Sequence, residues 1–158
     1  MYKSINVVLN SKNVISGDAQ SATYGINWSS VLDKNKKYMM HFTYLGGANT
    51  YTGTKLPCIY LGFNTDTVTA GSTTNTTFTQ MIGFLKPIVL VGSSNLVYFQ
   101  AEDITNTPVF VTCPQSNTFK VEIRDNSGNL YTDNAGTPAK PADYVMTLRF
   151  IELEEDEE

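Results

Sequence analysis

Cysteine, histidine and helical patterning are all scarce in this chain, and each scarcity removes a class of chemistry. There are two cysteines, Cys58 and Cys113, and one histidine, His41, among 158 residues. With no CxxC spacing and a single imidazole, a zinc site is not expected. No apolar run approaches the roughly 20 residues a helix needs to cross a bilayer, so no membrane span is expected. Basic residues are not clustered with aromatics, the densest run being KNKK at Lys34 to Lys37, and no specific nucleic-acid partner is expected. The opening MYKSINVVLNSKN carries no basic leader and no small-residue cleavage site. A reducing, cytosol-like compartment with both thiols free is the expectation.

Acid is unevenly spread. The formal charge of −4 includes Glu152, Glu154, Glu155, Asp156, Glu157 and Glu158, six of fifteen acids, leaving nine against eleven Lys and Arg. The body is therefore weakly positive. Residues 152–158 read as a self-repelling, disordered tail beyond a single domain at 1–151, with docking on a basic partner as its more specific use.

What the sequence has in quantity is alternation. In Thr118 to Arg124, Phe119, Val121 and Ile123 alternate with Lys120, Glu122 and Arg124; in Tyr144 to Ile151, large apolar residues recur with the same period of two. Such patterning marks half-buried strands. The two runs are expected to pair antiparallel across a turn-rich loop. Phe119, Val121, Val145 or Met146, Leu148 and Phe150 are the candidate inward residues, and Lys120, Glu122 and Arg124 should reach water. Earlier, Tyr2 to Leu9 reads as a strand, and so does Ala22 to Trp28, with Gly25 a candidate bulge. One short helical turn is expected near Val31. Lys37 to Leu45 follows, with Tyr38, Met40, Phe42 and Tyr44 on one broad apolar face and Met39, His41, Thr43 and Leu45 on the other, ended by Gly46 and Gly47. Leu56 to Phe63, Phe78 to Phe84, Lys86 to Val91, Leu96 to Ala101 and Val109 to Cys113 complete the series, and the Thr-rich stretch 64–77 reads as an exposed loop.

Eight to ten strands with no stretch patterned at 3.6 residues indicate an all-β sandwich. An immunoglobulin domain takes about 100 residues. The greater length and long crossover loops favour a single jelly roll, eight strands folded into two facing sheets.

The segment NTPVFVTCPQSNTFKVEIRDNSGNLYTD with the later ADYVMTLRFIELE resembles the C-terminal half of small single-jelly-roll capsid proteins of large double-stranded DNA viruses and virophages. The matching places are Asn106 and Pro108, Pro114, Phe119 to Ile123, Asp125 and Gly128, then Tyr144, Leu148 and Phe150. The resemblance covers about the last third of the chain. It implies a penton or minor capsid component of a virion, made in the host cytoplasm, partnered by other capsid proteins including a major capsid protein, and forming a homo-oligomer.

No catalytic, cofactor-binding or metal site is expected. His41 lies mid-strand without a nucleophile in an elbow setting and reads as a hydrogen-bonded strand histidine. Glu102, Asp103, Glu122 and Asp125 could on paper supply a glycosidase pair, but read as surface charges. The run Asp125 to Asp133 lacks the order of a calcium loop and reads as a turn with Gly128 at positive φ. Cys58 and Cys113 read as small buried hydrophobes. Asn27 and Asn75 open glycosylation sequons that need a secretory route. A carbohydrate- or receptor-binding module is the alternative function, with the Thr-rich loop as its edge and Tyr24, Trp28, Tyr44 and Tyr51 as a platform, although core packing suits these aromatics better.

Overall fold

The computed structural model describes residues 3–48, 55–62, 80–89, 97–102, 108–132 and 142–154. Among them are eleven strands: β1 (Ser4–Asn10), β2 (Ser16–Gly17), β3 (Ser21–Gly25), β4 (Lys37–Ala48), β5 (Cys58–Leu61), β6 (Gln80–Phe84), β7 (Lys86–Val89), β8 (Val97–Ala101), β9 (Val109–Thr112), β10 (Thr118–Arg124) and β11 (Tyr144–Glu152). One helical turn, α1 (Trp28–Val31), interrupts them where one was expected.

The strands form two antiparallel sheets. One runs β1-β11-β4-β8-β7, with β9 also on β4; the other runs β2-β3-β10-β5-β6. Taking β1, β3, β4, β5, β6, β8, β10 and β11 as the eight principal strands, the first, eighth, third and sixth make one sheet, and the second, seventh, fourth and fifth the other. That is the order of a jelly roll. The short strands β2, β7 and β9 raise the count above the expected eight to ten.

The expected pairing of the last two long strands is wrong. β10 lies between β3 and β5, whereas β11 lies between β1 and β4. They belong to opposite sheets and contribute to the core between them. Their apolar faces behave as the alternation implies: Phe119, Val121, Ile123, Tyr144, Met146, Leu148 and Phe150 are all buried. Val145, 46% exposed, is the wrong choice of the two inward candidates.

Gly46 and Gly47 do not end β4, which runs on to Ala48. A Cβ on Gly46 would come within 2.7 Å of the Tyr44 hydroxyl and 2.8 Å of Tyr144 Cβ, so glycine lets the strand pass those rings. Gly25 is the last residue of β3, paired regularly with Thr118, and marks no bulge. Trp28 leaves that strand to start α1, and its ring lies edge-on to Phe119 of β10 (5.0 Å) and Phe150 of β11 (5.8 Å). One indole thus joins the two sheets. Glu152 still belongs to β11, its N–H donating to the Lys3 carbonyl, and the Leu153 N–H donates to Lys37. The strand therefore runs past the 1–151 boundary; residues 155–158 lie outside the described set.

Candidate functional site

Even-numbered residues from Tyr38 to Tyr44 of β4 and from Tyr144 to Phe150 of β11 point inward, leaving the odd-numbered ones between them on the solvent side of the six-stranded sheet. Register fixes their neighbours. Val145 lies opposite Leu45, and Val8 one step away opposite Thr147; Phe110, Met39 and Ile151 form a row toward the other end. Val8, Leu45, Phe110 and Val145 are exposed. Between the two apolar zones runs the polar row Asn6, Arg149 and His41. His41 is mid-strand as expected, but its buried Nδ1 has no hydrogen-bond partner among the described residues. β8 pairs with β4 from Tyr44 to Ala48 and β9 from Lys37 to Met40. His41 thus falls on the stretch of β4 between these two partners.

The solvent side of the five-stranded sheet differs. Glu122 is 2% exposed, contrary to the expectation that it reaches water. Lys120 Nζ lies 2.6 Å from one carboxylate oxygen, and Arg124 donates through Nε (2.8 Å) and Nη2 (2.7 Å) to the other. Burial alone would raise this carboxyl, but the bonds from Lys120 and Arg124 outweigh it and hold Glu122 below the usual carboxylate range. The Arg124 guanidinium also lies over the Tyr60 ring, 5.9 Å from its centroid. Spacing held the signal: Lys, Glu and Arg two residues apart on a strand share a face and neutralise one another.

Asp125, also expected at the surface, is buried. Its Oδ1 accepts from the N–H groups of Ser127 and Asn129, at 2.9 and 3.0 Å, while Gly128 takes φ 86°. This is the expected turn. Neither Glu122 nor Asp125 is an unengaged carboxylate for hydrolysis; Asp103 lies outside the described residues. Cys58 and Cys113 are free and buried, and burial, with the Asp125 carboxylate second, pushes the Cys58 thiol up to about 11. No group of three or more metal-ligating side chains occurs among the described residues.

At one end of the sandwich the Tyr24 and Tyr144 hydroxyls are 2.8 Å apart, and Tyr44 stacks on Tyr144 at 5.0 Å. Burial raises all three phenols, which stay neutral. With Trp28 they belong to the core, so three of the four platform aromatics face no ligand; Tyr51 and the loop 64–77 lie outside the described residues. Beside them is a shallow cleft of about 600 Å³, lined by Leu45, Gly46, Gly47, Tyr98, Gln100 and Asp143. Asp143 is engaged there, accepting from Ser11 Oγ (3.2 Å) and pairing with Lys12 (3.3 Å). Asn27 is exposed, but its Oδ1 accepts from Ser29; Asn75 is outside the described set. No helix among the described residues is long and apolar enough to cross a membrane.

The chain matches no protein-family model and no curated protein.

Proposed function

We propose that this protein is a structural component of an icosahedral viral shell, a minor capsid or penton subunit that works through shape and contact. The observation carrying this reading is the strand order: a single jelly roll of two sheets, each with one side on the shared core and one side toward solvent. The exposed Val8, Leu45, Phe110 and Val145 support it by offering apolar contacts around a polar row on one sheet. Other capsid proteins, a major capsid protein among them, are the partners, and repetition by symmetry lets individually weak interfaces hold. The acidic run from Glu152 to Glu158 adds electrostatic attraction for a basic neighbour.

The test is whether the protein remains in washed, nuclease-treated particles, read by mass spectrometry of the capsid fraction. Its absence refutes the assignment. Deleting Glu154 to Glu158 leaves the folded monomer and weakens incorporation in a salt-dependent way, the deficit being largest at low salt where the tail's attraction is least screened. The carbohydrate-binding alternative is favoured by one observation, the cleft that sets the half-buried Tyr98 beside Gln100 and Asp143. Glycan retention that is lost in Tyr98→Ala would establish it.

A further inference from the structure

A sheet edge presents unpaired N–H and C=O groups, and proteins normally blunt it with proline, charge, a bulge or brevity. Among the described strands, four of those at a sheet edge carry such a device. β2 has two residues and Gly17 at φ 92°. β6 faces a register shift at Ile59/Tyr60. β7 begins with Lys86 and Pro87, and β9 spans four residues between Pro108 and Pro114. β1 carries none: SINVVLN is seven residues long, without charge, proline or glycine, and its register with β11 is unbroken from Ser4↔Ile151 to Asn10↔Val145.

The direction of its free groups follows from the ladder. The Lys3 carbonyl accepts from Glu152, and the Ser11 N–H donates to Tyr144. Bonded pairs recur at every second residue of an antiparallel ladder, so odd-numbered residues bond to β11 and even-numbered ones aim N–H and C=O away. Asn10 spends its carbonyl on Asn13. Ser4, Asn6 and Val8 remain without an outward partner among the described residues, all exposed, with Val8 at 65%.

We propose that β1 is a self-association edge: β1 of one copy pairs antiparallel with β1 of a second across a twofold axis at Asn6, making one continuous sheet. The sequence is self-complementary in that register. Ser4 meets Val8 of the second copy, Asn6 meets Asn6, Ile5 meets Val7, and Lys3 meets Leu9, so no like charges oppose. Ile5 and Val7, both partly buried against the core, extend the apolar interior across the junction. A second copy is the occupant because every other edge strand named above carries a blunting device, leaving β1 as the edge in this chain that matches β1. A twofold contact is closed, so this edge is consumed and cannot seed a fibre. The inference stands independently of the shell assignment.

The test is sedimentation velocity over a wide concentration range, with amide hydrogen exchange, on the full chain and two variants. The wild type is expected to dimerise with concentration, and the Ser4, Asn6 and Val8 amides to gain protection as it does. Asn6→Pro removes an outward donor while leaving the β11 bonds of Ile5 and Val7, and should weaken the dimer roughly tenfold or more. Val8→Lys, at an exposed position, tests the edge even if the proline variant misfolds and should also give monomer. A monomer at every concentration overturns the proposal, as does a dimer that survives Val8→Lys with those three amides still exchanging freely.

Discussion

Phe150→Ala tests the packing most directly. Phe150 is fully buried on β11 between Ile5 of β1 and Met40 of β4, edge-on to Trp28 at 5.8 Å and to Tyr38 at 6.3 Å. Truncating a buried Phe costs about 3–5 kcal/mol through lost transfer energy and the cavity left behind. Two ring contacts, each worth about 0.5–1.5 kcal/mol beyond area, place the expected loss in the upper half of that range. β11 and β4 are held in register on both sides of the site, which limits collapse into the hole. Trp28 is the only tryptophan, so its fluorescence in a denaturant titration reports on the very cluster being cut. Ile151→Ala, one residue along on the other side of the strand, is the control and should cost much less. A loss below about 1 kcal/mol for Phe150→Ala, or equal losses for the pair, would refute the inward assignment, since a one-residue slip exchanges the two faces.

Glu122→Gln should flatten the acid limb of the stability profile. Its folded-state pKa lies below the unfolded value, so the stability it contributes is present above the ordinary carboxylate range and is lost as pH falls through the folded pKa; urea unfolding at several pH values shows whether the variant loses that slope. Gly128→Ala should destabilise by about 1 kcal/mol or more, because φ 86° suits glycine; an unchanged denaturant midpoint would contradict the turn. Cys58 and Cys113 should resist alkylation in the native state near neutral pH, then take up two adducts under denaturing conditions without reductant. Intact mass reads both states, and no adducts after denaturation would mean a disulfide.

The strands were legible wherever one face is buried and the other is not. Tyr38, Met40, Phe42 and Tyr44, or Met146, Leu148 and Phe150, spell burial on alternate residues, and nothing beyond their own segment is needed to read it. Partner choice was not legible: the same alternation serves a strand beside either sheet, and the long connection from Arg124 to Tyr144 sets no hairpin register. Gly46 and Gly47 read as a stop because the reason for them, the rings of Tyr44 and Tyr144, becomes visible only in three dimensions. Gly128 was legible because a turn imposes its requirement locally. The burial of Glu122 depended on neighbours from β3 and β5, although its flanking cations were in plain view. As for the candidate surface, the exposed residues of β1, β4 and β11 followed from alternation, while the break between β8 and β9 opposite His41 did not, because it arises from two strands sharing one edge.

The strand order also bears on how the protein is born. β10 and β11, the interior strands that join each sheet together, are the last of the described strands to leave the ribosome. Among the described strands, until β11 arrives β1 has no neighbour and β4 holds only β8 and β9; until β10 arrives, β2-β3 and β5-β6 are separate fragments. The nascent chain therefore cannot settle in stages from its beginning, as chains with local contacts can. A ribosome that stops before Thr118 releases sheet fragments without the strands that join them, and quality control meets an incomplete fold rather than a partly working domain.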